Sequence, residues 1–440
     1  KPFLIIGKTT MGLGARTEGG DSFEGQVSTH GQPLSKAGAS IPATITNLGG
    51  DSENPFQIFD DVKRYYDEVL DEKRRLVEEH KQIEADWSAN NDALASKLDF
   101  FFSGNLPSID WNSIEQKPNN ATRNSSATVL SHFADTVENM IVMSADLANS
   151  DKTEAFLKKT RAFEAGDFGG AFLQVGVSEL AMAAICNGMA LHGGVIPVCA
   201  TFFVFSDFMK PAIRLAALME LQVKYVWPHD AFRVGEDGPT HQPIEQEAQI
   251  RLLEKVKNHS GNRSMLVLRP ADAEETTIAW KMALESTKAP AALILSRQNI
   301  QSLPDSKVIA KGTEKGAYVV QAAANPDVVL VANGSEVATL VDGAAMLSEK
   351  HNLKVQVVSV PSEGVFREQS AAYQKEVLPE GVPTFGMTAG LPVSLQGLVG
   401  PHGKVFGLSH FGYSAPYTVL DEKFGFTADN VVNEVMEMLG

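Results

Sequence analysis

Short apolar, β-rich runs recur along this chain with helical stretches between them. Leu173–Gly176, Val195–Val198, Lys224–Trp227, Ser264–Leu268 and Ala292–Leu295 form one series. Val328–Ala332, Val355–Val360 and Val405–Gly407 form another. Between them lie helical patterns at Glu179–His192, closed by Gly193-Gly194, and at Leu215–Leu221, Ser335–Glu349 and Ala428–Leu439. Continuously apolar strands separated by helices are buried on both faces, which is the arrangement of parallel sheets in α/β folds. The Pro304–Lys311 stretch breaks the pattern, so the sequence predicts two α/β domains. At about 100–200 residues per domain, 440 residues allow roughly three.

The amino-terminal part reads differently. Pro2–Lys8 is one strand-like run, and the residues after it are rich in Gly, Ser and Thr. With no initiator methionine, the chain is expected to start within a longer protein. From Pro55, taken as a helix start, Val62, Tyr65, Tyr66, Val69, Leu70, Leu76 and Val77 recur at helical spacing among dense charge, which predicts a surface or linker helix.

Charge and cysteine content narrow the function classes. A formal net charge of −16 argues against nucleic acid, whose phosphates need basic surface. No apolar run reaches the roughly 18 residues of a membrane span. Two cysteines, Cys186 and Cys199, in apolar surroundings argue against a disulfide framework or a structural zinc and favour a cytoplasmic location. An anionic substrate would need a local basic pocket.

Three segments could carry chemistry. Glu179 opens its helix after Gly176-Val177-Ser178, where the helix dipole favours a carboxylate; the bland reading is a first-turn Glu. Phe202, Phe205 and Phe208 lie three apart and so share a face; this is either core packing or an aromatic wall for a flat heterocycle. Finally, His229-Asp230 and Gly235-Glu236-Asp237-Gly238-Pro239-Thr240-His241-Gln242-Pro243 crowd Gly, Pro, acids and two His into fifteen residues, which makes a loop that displays His241.

The Glu179–Gly188 stretch resembles the helix by which thiamine-diphosphate enzymes hold the cofactor's aminopyrimidine, with Ala184 where Gly is frequent. The 235–243 loop resembles the signature of transketolases. Ser144-Ala145-Asp146-Leu147-Ala148, Leu295-Ser296-Arg297-Gln298-Asn299, His30-Gly31-Gln32-Pro33-Leu34, Gly334-Ser335-Glu336-Val337 and Phe411-Gly412-Tyr413-Ser414-Ala415-Pro416 resemble further segments of that family, in the family's order. The resemblance covers the whole chain.

It implies a thiamine-diphosphate-binding α/β fold, with parallel sheets flanked by helices, followed by a transketolase C-terminal-like α/β domain. The implied division is 1–60, the end of a diphosphate-binding domain; 61–120, a helical linker; 121–303, a pyrimidine-binding domain; and 304–440, the C-terminal domain, to which no catalytic role is given. The implied reaction is reversible transfer of a two-carbon ketol unit from a ketose phosphate of the xylulose 5-phosphate type to an aldose phosphate of the ribose 5-phosphate type, in the pentose phosphate pathway, by way of the cofactor's C2 ylid.

Carried over residue by residue, the resemblance makes Glu179, His241 and His30 catalytic. Glu179 bonds the pyrimidine nitrogen, His241 contacts donor hydroxyls and moves protons, and His30 lies near the diphosphate. Phe202, Phe205, Phe208, Asp146, His30 and Glu179 bind cofactor, with Phe208 standing where Tyr is frequent. Arg123, Ser150, His229, Asp237, His241 and Arg297 bind substrate, the two arginines and Ser150 as a phosphate clamp. A homodimer with active sites at the subunit interface is implied.

Two departures stand out. The family's Gly-Asp-Gly…Asn motif for Mg²⁺ (or Ca²⁺) and diphosphate is not found. Its ligands are expected upstream of residue 1 or in a separate chain, no metal ligand is named, and the 440 residues alone are expected to be inactive. Met387-Thr388-Ala389-Gly390 lacks the family's Glu before Ala-Gly. The alternatives are a dihydroxyacetone synthase-like or deoxyxylulose-phosphate synthase-like enzyme, or a non-catalytic fragment.

Overall fold

Six strands lie side by side in one sheet and five in another, and each series follows the runs read from the sequence. The structure is a computed structural model and describes residues 4–440. The chain divides into two units, one ending at Ala95 and one running from Ser96 to Gly440.

In the first unit, Leu4–Lys8 is not a strand, and Leu4, Ile5 and Ile6 are exposed; Pro2 and Phe3 lie outside the described residues. A strand needs a neighbouring backbone to take up its N–H and C=O groups, and no described residue pairs with this run. Short helices at Leu34–Ala37 and Ile41–Asn47 follow, the second capped by the Ser40 side chain, which accepts from Ala43 N–H. Helix α1, Asp60–Asn90, begins five residues after Pro55, where Asp60 and Asp61 complement the positive end of the helix dipole. Its apolar spacing is helical as expected, but none of its described residues is buried. Ion pairs such as Arg75 with Glu72 and Glu79 support it locally, at a few tenths of a kcal/mol each. Helix α2, Asp92–Phe102, follows.

The second unit opens its α/β series with α3, Thr122–Thr136, and β1, Met140–Ser144. There follow β2 (Phe172–Gln174), α4 (Glu179–His192), β3 (Ile196–Ala200), α5 (Ser206–Leu218), β4 (Lys224–Pro228), α6 (Gln246–Lys255), β5 (Leu266–Leu268), α7 (Ala273–Glu285) and β6 (Ala291–Leu295). The order across this sheet is β2-β1-β3-β4-β6-β5, all parallel, with Ser144 opposite Ala200 and Pro228 opposite Leu295. Strands β3, β4 and β6 are buried along their whole length, as strands covered by helices on both faces must be. One core packs α3 and α7 against the sheet through Phe133, Trp280 and Leu293. The other packs α4 and α5 against it through Met182, Ile213 and Ile294.

After β7 (Tyr318–Gln321) come β8 (Val328–Ala332), α8 (Glu336–His351), β9 (Val355–Ser359), β10 (Thr384–Met387), β11 (Lys404–Phe406) and α9 (Ala428–Leu439). Their order is β11-β10-β8-β9-β7, with β7 antiparallel at the edge. Strands β1, β7 and β10 were not read from the sequence. The Met140–Ser144 and Thr384–Met387 runs contain Met, Ser and Gly, which dilute the β-branched signal. Four residues of the expected 304–311 break, Ser306–Ile309, form a helical turn.

Candidate active site

The carboxyl ends of the six parallel strands gather the residues singled out above. From β1 the chain passes to β2 on one side and β3 on the other, so the crevice between β1 and β3 is a topological switch point, where open α/β sheets bind ligands. Asp146 follows β1, the 202–208 aromatic run follows β3, His229 follows β4 and Arg297 follows β6. Arg123 joins them from the first turn of α3, which is held to the end of β6: Thr122 N–H donates to Ser296 Oγ at 3.0 Å and Ser296 N–H to Thr122 Oγ1 at 2.7 Å.

Glu179 is the first residue of α4 and is buried, with Thr201 Oγ1 donating to its Oε1 at 3.4 Å. Next to it the aromatic run forms a stepped stack. Phe202 and Phe205 are 6.0 Å apart at 10°, and Phe205 and Phe208 6.2 Å apart at 34°. Phe202 is buried and its ring lies against the His229 imidazole at 3.6 Å, so it supports a site residue, whereas Phe208 stands exposed. His241 meets Phe205 edge-on at 5.5 Å, and its Nδ1 lies 2.9 Å from Thr240 Oγ1.

The basic groups crowd together. Arg123 is brought down to about 10, by burial first and then by the neighbouring charge of Arg297, with Asp151 and Asp237 opposing. Its Nη1 donates to the Ser150 carbonyl at 2.9 Å, so Ser150 enters the site through its backbone; Arg123 Nε has no partner among the described residues. Burial and the positive charges of Arg123, Arg297, His241 and Lys152 push His229 down to about 2, so it is neutral at physiological pH. Its Nδ1 also has no partner among the described residues. Buried polar nitrogens left open cost stability unless something occupies them, and two arginines facing each other favour an anion. Asp146, Lys152 and His229 all have positive φ, a strained backbone setting that clusters at functional sites. Asp237 and Asp146 are exposed at the rim. Asp146 lines a cavity of about 500 Å³ with Ser144, Asn149 and Gln174.

His30 is exposed, in the turn after Val27–Thr29 of the first unit, so it is not among the residues the second unit brings together. Among the described residues no three His, Cys, Asp or Glu side chains gather as a metal would require, and no metal ligand is assigned.

Several residues of this region escaped sequence reasoning. Lys152 adds positive charge beside His229. Gln242, inside the 235–243 loop, donates from Nε2 to Gly235 O at 2.9 Å and to Tyr413 O at 3.0 Å. Ser414 Oγ donates to Glu236 O at 2.6 Å, and a Cβ on Gly412 would collide with the Gln242 carboxamide. The 411–416 segment is therefore a brace for this loop. Its signal was present in the sequence as a motif without a role. Asp230, Arg233, Arg269 and Glu336 form a buried charge cluster behind the loop; Asp230 and Glu336 lie in segments singled out in the sequence, but no local pattern there joins them to Arg233 and Arg269.

Three family models match the chain in succession: the thiamine diphosphate binding domain of transketolase over residues 1–107, its pyrimidine binding domain over 119–302, and a transketolase-like C-terminal domain over 316–427. A transketolase of Halalkalibacterium halodurans is 40% identical over 446 residues, covering 100% of this chain and 64% of the relative. The chain belongs to the transketolase family. A Bacillus subtilis transketolase is 39% identical over 448 residues, again across 100% of this chain and 64% of its own length. Among solved structures, a transketolase from Leishmania mexicana superposes with a TM-score of 0.86 at 33% identity, covering 98% of this chain and 61% of that one. The chain thus spans about 64% of the length of the curated transketolases it matches. The α/β fold read from the transketolase motifs is that of its structural relatives.

Proposed function

We propose that this chain provides the pyrimidine-binding and substrate-binding side of a transketolase active site, with the reaction being reversible two-carbon transfer between sugar phosphates. The observation that carries the reading is the convergence of Arg123, Arg297, His229 and His241 at the strand ends beside the buried Glu179 and its aromatic step. When bound, thiamine diphosphate supplies the nucleophilic carbon and the electron sink for cleaving the bond next to a ketose carbonyl. Glu179 would hold the proton at the pyrimidine nitrogen. It is positioned for this by the helix start and by Thr201. Phe205 and Phe208 offer ring faces for the pyrimidine. Arg123 and Arg297 take the substrate phosphate, and an anion there relieves their mutual repulsion. Neutral His229 can hydrogen-bond a sugar hydroxyl in either direction, His241 can move a proton at a reacting oxygen, and Asp237 can accept from a hydroxyl.

In the same reading, His30 serves the diphosphate end, Asp146 contacts the cofactor across the subunit interface, and no ligand for a divalent cation is assigned among the described residues. The domain division is 1–60, 61–120, 121–303 and 304–440. The protein is a cytoplasmic homodimer. Exposed apolar side chains on α4 and α5, Leu180, Ile185, Leu191, Leu215 and Leu218, support self-association. Among the described residues no helix is long and apolar enough to cross a membrane.

The test is transfer from xylulose 5-phosphate to ribose 5-phosphate by the full-length protein with added thiamine diphosphate and Mg²⁺. Formation of a seven-carbon ketose phosphate is expected. Turnover only with formaldehyde as acceptor would move the assignment to a dihydroxyacetone synthase-like activity, and no turnover with either acceptor would overturn it.

A further inference from the structure

The C-terminal five-stranded sheet has its own switch point, at the carboxyl end of β8, where the chain passes to β9 on one side and β10 on the other. That crevice, the expected ligand position of such a sheet, is filled from within the protein. Arg269, just beyond β5, enters it and is almost completely buried. Its backbone N–H donates to Pro361 O at 2.9 Å, and its carbonyl accepts from Gly334 N–H at 3.1 Å. Its Nη1 donates to Glu336 Oε2 at 2.5 Å and to Asn333 Oδ1 at 2.6 Å. Glu336 opens α8 and also accepts from Arg233 Nη1 at 2.6 Å and from Ala389 N–H at 3.2 Å. Gly334 has φ +57, and a Cβ there would stand 2.7 Å from Arg269 Cζ and Nε. Only glycine leaves room for the guanidinium in this position.

The other edge of the same guanidinium faces the candidate active site. Arg269 Nε and Nη2 both donate to Asp230 Oδ2, at 3.1 and 2.7 Å. Asp230 is buried and directly follows His229, whose backbone has φ +66. The left-handed region is uncommon for a non-glycine residue and persists where the surroundings hold it. The neighbour of His229 is fixed from one side by Arg269 and the His229 ring from the other by Phe202.

We propose that the C-terminal domain sets the position of His229 through a Gly334–Arg269–Asp230 relay, making these three positioning residues for substrate binding. The proposal rests on the substrate role given to His229 above. It gives the domain a part in the site, against the sequence-based expectation of no catalytic role, and explains why its own crevice is closed.

The test is a set of double-mutant cycles in the full-length protein, reading KM for a phosphorylated ketose and kcat separately. Asp230→Asn and Gly334→Ala are each made alone and combined with His229→Ala. Each alone is expected to raise KM about 10-fold with kcat changed less than about 3-fold, and to add nothing in the His229→Ala background. The same KM rise in both backgrounds, or no KM rise in either single variant, would overturn the relay. Should Gly334→Ala fail to fold, Asp230→Asn, which keeps the side-chain shape, carries the test alone. If His229→Ala itself leaves KM unchanged while two-carbon transfer persists, the substrate role of His229 falls and the relay with it. Loss of the relay alone leaves the His229→Ala effect in place.

Discussion

At the carboxyl ends of the six-stranded sheet, Arg123 Nε and His229 Nδ1 are buried with no partner among the described residues, and like charges face one another. At the corresponding ends of the five-stranded sheet, Arg269 and Arg233 are ringed by Asp230, Glu336, Asn333 and Asp421. Burial alone would raise the Glu336 pKa, but the two guanidiniums outweigh it and hold the carboxyl below its usual range. Two sheets with the same kind of crevice have therefore been put to opposite uses. In the first, buried polar nitrogens are left without a partner among the described residues, and in the second, charges are closed against each other. Architecture alone does not identify a site; the balance of satisfied and unsatisfied polar groups does.

The contrast breaks most directly at the two glutamates that open helices at these crevices. Glu179→Gln is expected to lower kcat for two-carbon transfer by about 10²–10⁴, the usual worth of a positioned proton-transfer group, while the urea midpoint moves little. Glu336→Ala is expected to do the reverse in origin. It strips Arg269 and Arg233 of their shared carboxylate and should destabilise the fold by about 3–5 kcal/mol in urea titration, as removal of one member of a buried ion cluster does. A large stability loss from Glu179→Gln with activity retained would show that both crevices are structural.

A third carboxylate, Glu275 on α7, sharpens the comparison because it joins the two sheets without an arginine. It is buried and accepts from Tyr318 Oη and Ser359 Oγ, both at 2.7 Å, and from Ala271 N–H. Burial, and then the nearby Asp272, raise it to about 7, against the lowering effect of those donors. A carboxyl raised above its unfolded value of 4.5 contributes stability that is complete below that value and is lost as pH rises through about 7. Comparing Glu275→Gln with the parent between pH 4.5 and 8, the variant should gain on the order of 3 kcal/mol relative to the parent as pH rises. A constant difference across that window would mean that the Glu275 carboxyl is not raised in the fold.

Much of this was legible in the sequence wherever the signal is local. Val328–Ala332 and Ala428–Leu439 have the same bounds in sequence and structure, because five apolar residues in a row and a Thr427-capped amphipathic stretch are self-contained patterns. The residues that gather at the strand ends were legible as candidates because each lies in a short motif. Leu4–Lys8 misled because an apolar run shows only that a segment could pair, not that a partner backbone is at hand among the described residues. The Arg269 cluster was invisible for a related reason. Asp230, Arg269 and Glu336 become neighbours only after both sheets have formed.

The smallest expected effect separates charge recognition from general damage to the open crevice. Arg297 is half-buried after β6, and its charge lowers both Arg123 and His229. Removing it has two opposed consequences. A phosphate loses one charge-assisted partner, which costs about 2 kcal/mol, or roughly 30-fold in KM for a phosphorylated ketose. Arg123 meanwhile loses its like-charged neighbour, which returns part of that cost. Arg297→Ala should therefore raise KM for the phosphorylated donor by roughly 10- to 30-fold. KM for hydroxypyruvate, which carries no phosphate, should stay within about 3-fold, because its two-carbon unit is held by other groups. Equal rises for both donors would show that Arg297 shapes the crevice instead of reading the phosphate, and would place it with the closed charges of the second sheet.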